Sequence, residues 1–252
     1  MESVKERKLG IIIQARTGST RLPGKILMPL GDKPMILYLY NRLNDYFDIP
    51  IVVATTDNSQ DDHLAEMLVN LDIKTYRGSE DNVVTRFISA AKYMGFTDIV
   101  RVCADSPLLD FYFLDELIKV WKGDTENDYI SFEFNEKPVI RSHFGVFGEV
   151  VKLSALEKVA SLFGDNNLYL EHVTNGVYMN PGIFKIRLLN LDRELAPFDG
   201  IRLTIDTKED FKRISGLMPK IKSIKFEAIA NYIKSQPELL LGMKQTILEN
   251  SK

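Results

Sequence analysis

Arg16, Arg21 and Lys25 fall within ten consecutive residues, in the run Ala15-Arg-Thr-Gly-Ser-Thr-Arg-Leu-Pro-Gly-Lys25. Gly18, Gly24 and the hydroxyls of Thr17, Ser19 and Thr20 share the stretch. Glycine lets backbone N–H groups approach an anion closely, and a nest of N–H groups flanked by Arg and Lys suits a polyphosphate. The run is not a G-x-x-x-x-G-K-[ST] loop: five residues separate Gly18 from Gly24, and Ile26 stands where Ser or Thr would be. It is not G-x-G-x-x-G either. A bound polyphosphate calls for a divalent cation, and carboxylates at strand ends are where to look for its ligands. Asp105 and Asp206, about a hundred residues apart, each follow a strand-like run and could share one sheet edge. Mg²⁺ takes one or two carboxylates and completes its sphere with phosphate and water oxygens. The same aspartates could instead cap a turn or helix, and Asp206-Thr207 stands before a helical pattern. No Ser–His–Asp or Cys–His constellation is apparent, and three scattered histidines do not make a zinc site.

These loops need a frame, and hydrophobic periodicity supplies one. Gly10-Ile-Ile-Ile-Gln14 reads as a strand buried on both faces. Residues 34–45 carry Met35, Leu39, Tyr40 and Leu43 at helical spacing behind Pro34. Strand-like runs follow at Ile49–Thr56, Ile73–Tyr76 and Ile99–Cys103. Between them lie a helix opened by a Ser59–Asp62 capping pattern and running to about Asn70, and an amphipathic helix over Asp81–Met94 stopped by Gly95. Strands alternating with helices of this length predict right-handed βαβ units and an α/β fold with a mostly parallel sheet. Ligands bind such sheets beyond the carboxyl ends of the strands, the edge where loops 15–25 and 104–110 fall. After residue 125 the rhythm changes. Tyr129–Phe134 reads as a strand, Lys152–Phe163 as a helix, Leu168–Met179 as mixed and Gly182–Leu189 as a strand. Residues 130–190 are therefore expected to be an insertion that completes the substrate pocket and offers a dimer surface. A turn at Pro197–Gly200 leads into a predicted strand, Ile201-Arg-Leu-Thr-Ile205, and the segment 220–252 into two surface helices.

The totals agree with this frame. With 252 residues, the chain is expected to be a single domain spanning 1–252. A formal charge of −3 offers no cationic field for nucleic acid or an anionic membrane. One cysteine fits a reducing cytoplasm, and Met1–Leu9 lacks the apolar stretch of a secretory signal. No apolar run approaches the ~20 residues of a membrane span.

The run Gln14–Lys25, followed by Gly31-Asp-Lys-Pro-Met35, resembles the signature of the cytidylyltransferases. That family includes the 3-deoxy-manno-octulosonate and acylneuraminate enzymes, and the likeness is greatest to its spore-coat polysaccharide branch. Arg77-Gly-Ser-Glu-Asp81 with Arg86, Asp105-Ser-Pro-Leu108, Glu171-His-Val-Thr174 and Thr204-Ile-Asp-Thr-Lys-Glu-Asp210 extend it to about residue 215. The resemblance implies a Rossmann-like sheet of the nucleotide-diphospho-sugar transferase type. It implies Mg²⁺-dependent transfer of CMP from CTP to an acidic sugar, of nonulosonate or 3-deoxy-manno-octulosonate type, in a homodimer. On the residues, it implies that Ala15, Arg16, Gly18, Ser19, Arg21 and Lys25 hold the nucleotide, with Arg77, Gly78 and Ser79 over the base. Arg16, Lys25 and Asp105 become catalytic, and Asp105 and Asp206 metal ligands. Glu171 and His172, with Arg141, His143 and Glu149 behind them, become the acceptor side. An arginine and backbone carbonyls can tell cytosine's amine from uracil's oxygen by donor–acceptor matching. Nucleotidyl transfer needs in-line attack on the α-phosphorus and cations on the departing pyrophosphate, which the three loop cations suit.

The sequence departs from the pattern in two places: at Cys103-Ala104 before the aspartate, and at Phe147 where the branch has an acidic residue. The rival readings are a glycosyltransferase using a nucleotide sugar, a non-catalytic nucleotide-binding homologue, and a thymidylyl- or uridylyltransferase. The first would want an Asp-x-Asp pair that Asp105-Ser-Pro lacks. The last would want more glycine before the Thr-Arg pair.

Overall fold

The computed structural model of the chain describes residues 6–164 and 166–250; residues 1–5 of the N-terminal stretch lie outside them. The first half alternates as expected. Strand β1 (Leu9–Gln14) leads through the cationic loop to a two-residue hairpin, β2 (Pro29–Leu30) and β3 (Lys33–Pro34). Then come α1 (Met35–Tyr46), β4 (Ile51–Thr56), α2 (Asp62–Asn70), β5 (Thr75–Gly78), α3 (Val83–Met94), β6 (Asp98–Cys103) and α4 (Phe111–Gly123). The second half holds β7 (Tyr129–Phe134), β8 (Lys137–Pro138), β9 (Glu149–Lys152), α5 (Leu153–Leu162), α6 (Asn167–Glu171), α7 (Asn175–Tyr178), β10 (Ile186–Asn190) and α8 (Asp192–Leu195). It closes with α9 (Lys208–Leu217), α10 (Phe226–Lys234) and α11 (Pro237–Asn250).

One sheet runs in the order β10-β7-β9-β6-β1-β4-β5, with β8 paired to β7. β6, β1, β4 and β5 are mutually parallel, and β9 enters antiparallel between β6 and β7. β1 is central and buried on both faces, so its residues alternate between two cores. Ile11 and Ile13 pack with Leu39, Leu114 and Trp121 on one side; Ile12 packs with Phe87 and Leu156 on the other. The continuous Ile-Ile-Ile run follows from this geometry. No helix among the described residues is long and apolar enough to cross a membrane.

Several local expectations are corrected. Asn58, not Ser59, caps the turn before α2, accepting from Gln60 N at 3.0 Å. The helix expected over Asp81–Met94 starts at Val83, capped by Asn82, whose side chain accepts from Thr85 N at 2.9 Å. β9 occupies the residues just before the helix expected from Lys152, and that helix starts at Leu153. α4 has no counterpart in the sequence reading. Ile201–Ile205 is not a strand. Its apolar residues are buried in alternation, but it bonds to two loops: Leu203 N to the carbonyl of His143 at 3.0 Å and Ile205 N to that of Asp105 at 2.9 Å. It is a crosspiece that carries residue 206 to the end of β6. Gly145 makes this possible, because at its φ of +64° a Cβ would lie 2.6 Å from Thr204 N.

Candidate active site

The cationic loop is knotted by its own backbone. The Thr17 carbonyl accepts from Ser19 N at 2.8 Å and Gly24 N at 2.9 Å, and Gly24 takes a φ of +70°. Ala15 continues the ladder by donating to the Ala54 carbonyl at 3.2 Å. The loop is fastened to the end of β4 by Asp61, which is 1% exposed. Its carboxylate accepts from the backbone N–H and hydroxyl of Thr17 and from the hydroxyls of Thr55 and Thr56. Burial alone would raise the Asp61 pKa, but the hydrogen bonds from Thr17, Thr56 and Thr55 hold it below the usual carboxylate value. Nothing in the sequence pattern singled out Asp61.

Arg16 and Arg21 stay half-exposed. Arg16 Nη1 lies 3.6 Å from Glu80, and Gly18 leaves the loop room against Glu80 and Gln60. Arg21 Nη2 lies 3.3 Å from Asp206 Oδ1, while its Nη1 donates to Asn250 of α11 at 2.9 Å. Ser19 faces inward on the loop, its hydroxyl accepting from Leu22 N at 3.4 Å.

Lys25 turns inward. Its Nζ donates to the Ile205 carbonyl at 2.7 Å and lies 3.1 Å from both Asp105 Oδ2 and Asp206 Oδ1. Two carboxylates about a hundred residues apart in sequence therefore converge on one cationic position. Burial pulls the Lys25 pKa down, but Asp105 and Asp206 outweigh it and hold it above the usual lysine value. Burial likewise opposes ionisation of Asp206, and Lys25, Arg21 and Arg202 overcome it, keeping its pKa low. Arg202, 3% exposed, donates to Asp206 Oδ2 at 2.8 Å and is gripped by Asp210, a carboxylate that also closes a capping box with Thr207. The helix-cap role therefore falls to Thr207 and Asp210, which leaves Asp206 to face the cleft. Among the described residues no three metal-ligating side chains gather. A divalent cation held here takes two carboxylates from protein, which fits Mg²⁺ completing its sphere from phosphate and water.

The Arg77–Ser79 segment ends β5 beside this loop. Arg77 is largely committed to structure: it donates to the carbonyls of Thr56 at 2.9 Å and Asn58 at 3.0 Å and pairs with Asp62 at 2.7 Å. The Ser79 hydroxyl accepts from Asn82 N at 3.0 Å, and its carbonyl accepts from Arg86 Nη1 at 2.5 Å. Gly78 sits against the Arg86 stem, where a Cβ would be 3.2 Å away. Arg86 is 1% exposed, and its Nε and Nη2 find no partner among the described residues. Burial and the neighbouring Arg16 charge push its pKa down to about 10. The helical spacing at 81–94 hides this guanidinium, since the pattern alone equally allows a solvated surface residue.

Beyond Asp105 and Asp206 opens a cavity of about 570 Å³. Arg101, Cys103, Arg141, His143, His172 and Thr204 are among its lining residues. Arg141 and His172 are exposed at the rim; Glu171 is exposed too but lies off the cavity wall. Glu149 does not face an acceptor: it is fully buried behind the wall. It accepts from Arg101 Nη1 at 2.6 Å, from the Thr174 hydroxyl at 3.1 Å and from the Tyr129 hydroxyl. Arg101 in turn donates to Gln14 Oε1 at 3.0 Å, tying the acceptor wall to the end of β1. Phe147 packs its ring against Phe113, with centroids 4.8 Å apart, and also lines the cavity, so this departure joins an aromatic cluster to the cavity wall. The Cys103 thiol lies on the wall, and burial pushes its pKa up to about 11, which leaves it no thiolate at neutral pH.

Residues 10–241 match the family described as cytidylyltransferase. The spore coat polysaccharide biosynthesis protein SpsF of Bacillus subtilis is 34% identical over 215 residues, covering 83% of this chain and 85% of that one. The 3-deoxy-manno-octulosonate cytidylyltransferase of Geobacter sulfurreducens is 34% identical over 109 residues, covering 42% of each chain. Among solved structures, a cytidylyltransferase from Leptospira borgpetersenii superposes with a TM-score of 0.80 at 29% identity, covering 93% of this chain and 97% of that one.

Proposed function

The chain belongs to the cytidylyltransferase family, and we propose that it transfers CMP from CTP to the anomeric hydroxyl of an acidic sugar, releasing pyrophosphate, with Mg²⁺ at Asp105 and Asp206. The observation that carries this reading is the convergence of both aspartates on the Lys25 ammonium, each at 3.1 Å, directly beneath the loop of Arg16 and Arg21. A cationic position already balanced by two carboxylates is suited to exchange. As triphosphate enters, Lys25, Arg16 and Arg21 have anionic oxygens to move to, and Asp105 and Asp206 are left to a divalent cation. Bound there, the cation would neutralise charge on the phosphates as the α-phosphorus is attacked.

The chain's own residues supply the rest. The three loop cations, Arg16, Arg21 and Lys25, hold the leaving pyrophosphate. Arg77 fixes the Gly78–Ser79 backbone against β4, and the Arg86 guanidinium supports that backbone from below, so the base meets a shaped edge and not a mobile turn. On the acceptor side, Arg141 and His172 stand at the mouth of the cavity, while Arg101, held by Glu149 and Gln14, fixes its wall. The similarity to the 3-deoxy-manno-octulosonate enzyme of Geobacter sulfurreducens supports an eight-carbon sugar acid as acceptor, and that to SpsF a surface-polysaccharide setting. The test is pyrophosphate release from each of the four NTPs with a panel of sugar acids, with and without Mg²⁺. CTP should be the preferred donor, with release dependent on a sugar acid and abolished by chelation. Equal use of all four nucleotides, or release indifferent to the acceptor, would refute the reading.

A further inference from the structure

One guanidinium is shared by the cation site and the acceptor cavity. Arg202 Nη2 donates to Asp206 Oδ2 at 2.8 Å, and Arg202 Nη1 lies 2.7 Å from Nδ1 of His143. Asp210 grips Nε at 2.8 Å and Nη2 at 2.9 Å, so the guanidinium is fixed from a third side. Arginine carries hydrogen on every guanidinium nitrogen and accepts from none, so the ring nitrogen facing it must be the acceptor. His143 Nδ1 is therefore the lone-pair nitrogen, and the ring proton sits on Nε2. The backbone at His143 is held as well, its carbonyl accepting from Leu203 N at 3.0 Å, and the residue lines the cavity together with Asp206 and Thr204. Burial, then the Arg202 charge, lower the His143 pKa from its ordinary value, so the neutral ring is the resting form at neutral pH. A histidine in this state cannot serve as the general base: one nitrogen is bonded and the other already carries its proton.

We propose that His143 is an acceptor-site residue whose Nε2–H donates a hydrogen bond to the carboxylate of a 2-keto sugar acid, and that Arg202 couples this donor to Asp206. The inference rests on the cytidyl-transfer reading. In the ring form of a 2-keto sugar acid, one carbon bears both the anomeric hydroxyl and the carboxylate. When that hydroxyl lies at the Asp105–Asp206 end of the cavity, the carboxylate lies beside it, within the span of the guanidinium that joins Asp206 to His143. The arginines that line the cavity are placed differently: Arg101 is committed to Glu149 and Gln14, and Arg141 is exposed at the rim.

Two substitutions separate this role from a structural one. His143→Asn keeps an acceptor oxygen near the position of Nδ1 for Arg202 but removes the donor into the cavity. His143→Gln restores an amide near Nε2 and loses the Arg202 contact. The Asn variant should raise KM about 10- to 100-fold for whichever sugar acid the wild type uses, 3-deoxy-manno-octulosonate being the first probe, with KM for CTP within about twofold. The Gln variant should recover part of that loss. A ring needed only for structure predicts the reverse, with Asn silent and Gln impaired, and that result overturns the proposal. Nitrogen NMR of the sugar-free wild type, labelled at its three histidines, should show the His143 ring with Nε2 protonated and Nδ1 bare; a protonated Nδ1 also overturns it. A wild type that turns over no sugar acid refutes the cytidyl-transfer reading and the donor role together. An active wild type with a silent Asn variant refutes the donor role alone.

Discussion

The two ends of the cleft treat charge in opposite ways. At the nucleotide end, Arg16 and Arg21 have side chains 41% and 50% exposed and lie 3.6 and 3.3 Å from their carboxylate partners. Exposed pairs of this length are worth at most about 1 kcal/mol, so an incoming triphosphate can displace them at small cost. At the acceptor end, Arg101 and Glu149 meet at 2.6 Å with side chains 9% and 0% exposed. Breaking such a pair leaves an uncompensated buried charge, at a cost of about 3–5 kcal/mol. The first arrangement suits groups that must change partner during binding. The second suits groups whose task is to keep a wall in place. Chemistry and stability should therefore separate when each end is mutated.

The largest effect should come from Asp105→Asn. Among the described residues its carboxylate bonds to Lys25 and, at 3.5 Å, Ser106, and Lys25 keeps Asp206 and the Ile205 carbonyl, so stability should hardly change. Loss of a metal-binding charge should lower kcat/KM about a thousandfold. Steady-state pyrophosphate release and a thermal melt on the same sample check this; a large drop in Tm would break the contrast. Glu149→Gln should do the opposite. Nearly isosteric, it strands the Arg101 charge and should lower Tm by about 10 °C, from about 3–5 kcal/mol in a chain of this size. CTP affinity measured below the melt should be retained, and a Tm within about 2 °C of wild type would show the pair to be dispensable.

Asp61 tests whether the exchangeable end has a rigid footing. Its pKa is held below the ordinary carboxylate value, so its contribution is present above about pH 4 and is lost as acid takes it through the lowered folded value. Asp61→Asn should remove about 2–3 kcal/mol at neutral pH and flatten the acid limb of the stability curve below about pH 4. Denaturant unfolding across pH reads both, and an unchanged acid limb would assign the loss of stability to other carboxylates.

The contrast also explains what was legible in the sequence. The nucleotide end could be read because its cations, glycines and hydroxyls are contiguous, and a loop after a buried strand needs no long-range information. The acceptor wall is assembled from residues 101, 129, 149 and 174, on four separate segments, so no local pattern announces it. Its signal was still present: Arg101 stands inside the apolar run Ile99-Val-Arg-Val102, and Glu149 directly before Val150-Val151. Lone opposite charges in two runs bound for the core are best explained by each other. Ile201–Ile205 misled for the converse reason. Its alternation reports burial of Ile201, Leu203 and Ile205 correctly, but burial does not require a ladder, and Arg202 within it is matched by Asp206 and Asp210, not by a strand. Arg86 shows the limit of periodicity, which cannot tell a solvated helical arginine from one buried with two nitrogens unpaired.

The smallest predicted effect lies where the C-terminal helix meets the cationic loop. α11 is anchored by buried Met243 and by the Thr246 hydroxyl, which accepts from Arg213 at 2.7 Å. Its last residue, Asn250, orients its side chain by donating to the Thr246 carbonyl at 2.8 Å and accepts from Arg21 at 2.9 Å. Arg21 is thus shared between a helix end and Asp206, and it must leave at least one of them to reach a triphosphate. An exposed hydrogen bond of this kind contributes under about 1 kcal/mol, so Asn250→Ala should leave Tm within about 2 °C and shift KM for CTP less than about threefold. The direction is the informative part. If Asn250 holds Arg21 ready, KM should rise; if it holds Arg21 away, KM should fall and the CTP association rate should increase. Stopped-flow binding of CTP at low and physiological salt separates the two. A tenfold change in either direction would mean that Arg21 belongs with the locked charges of the acceptor wall and not with the exchangeable ones.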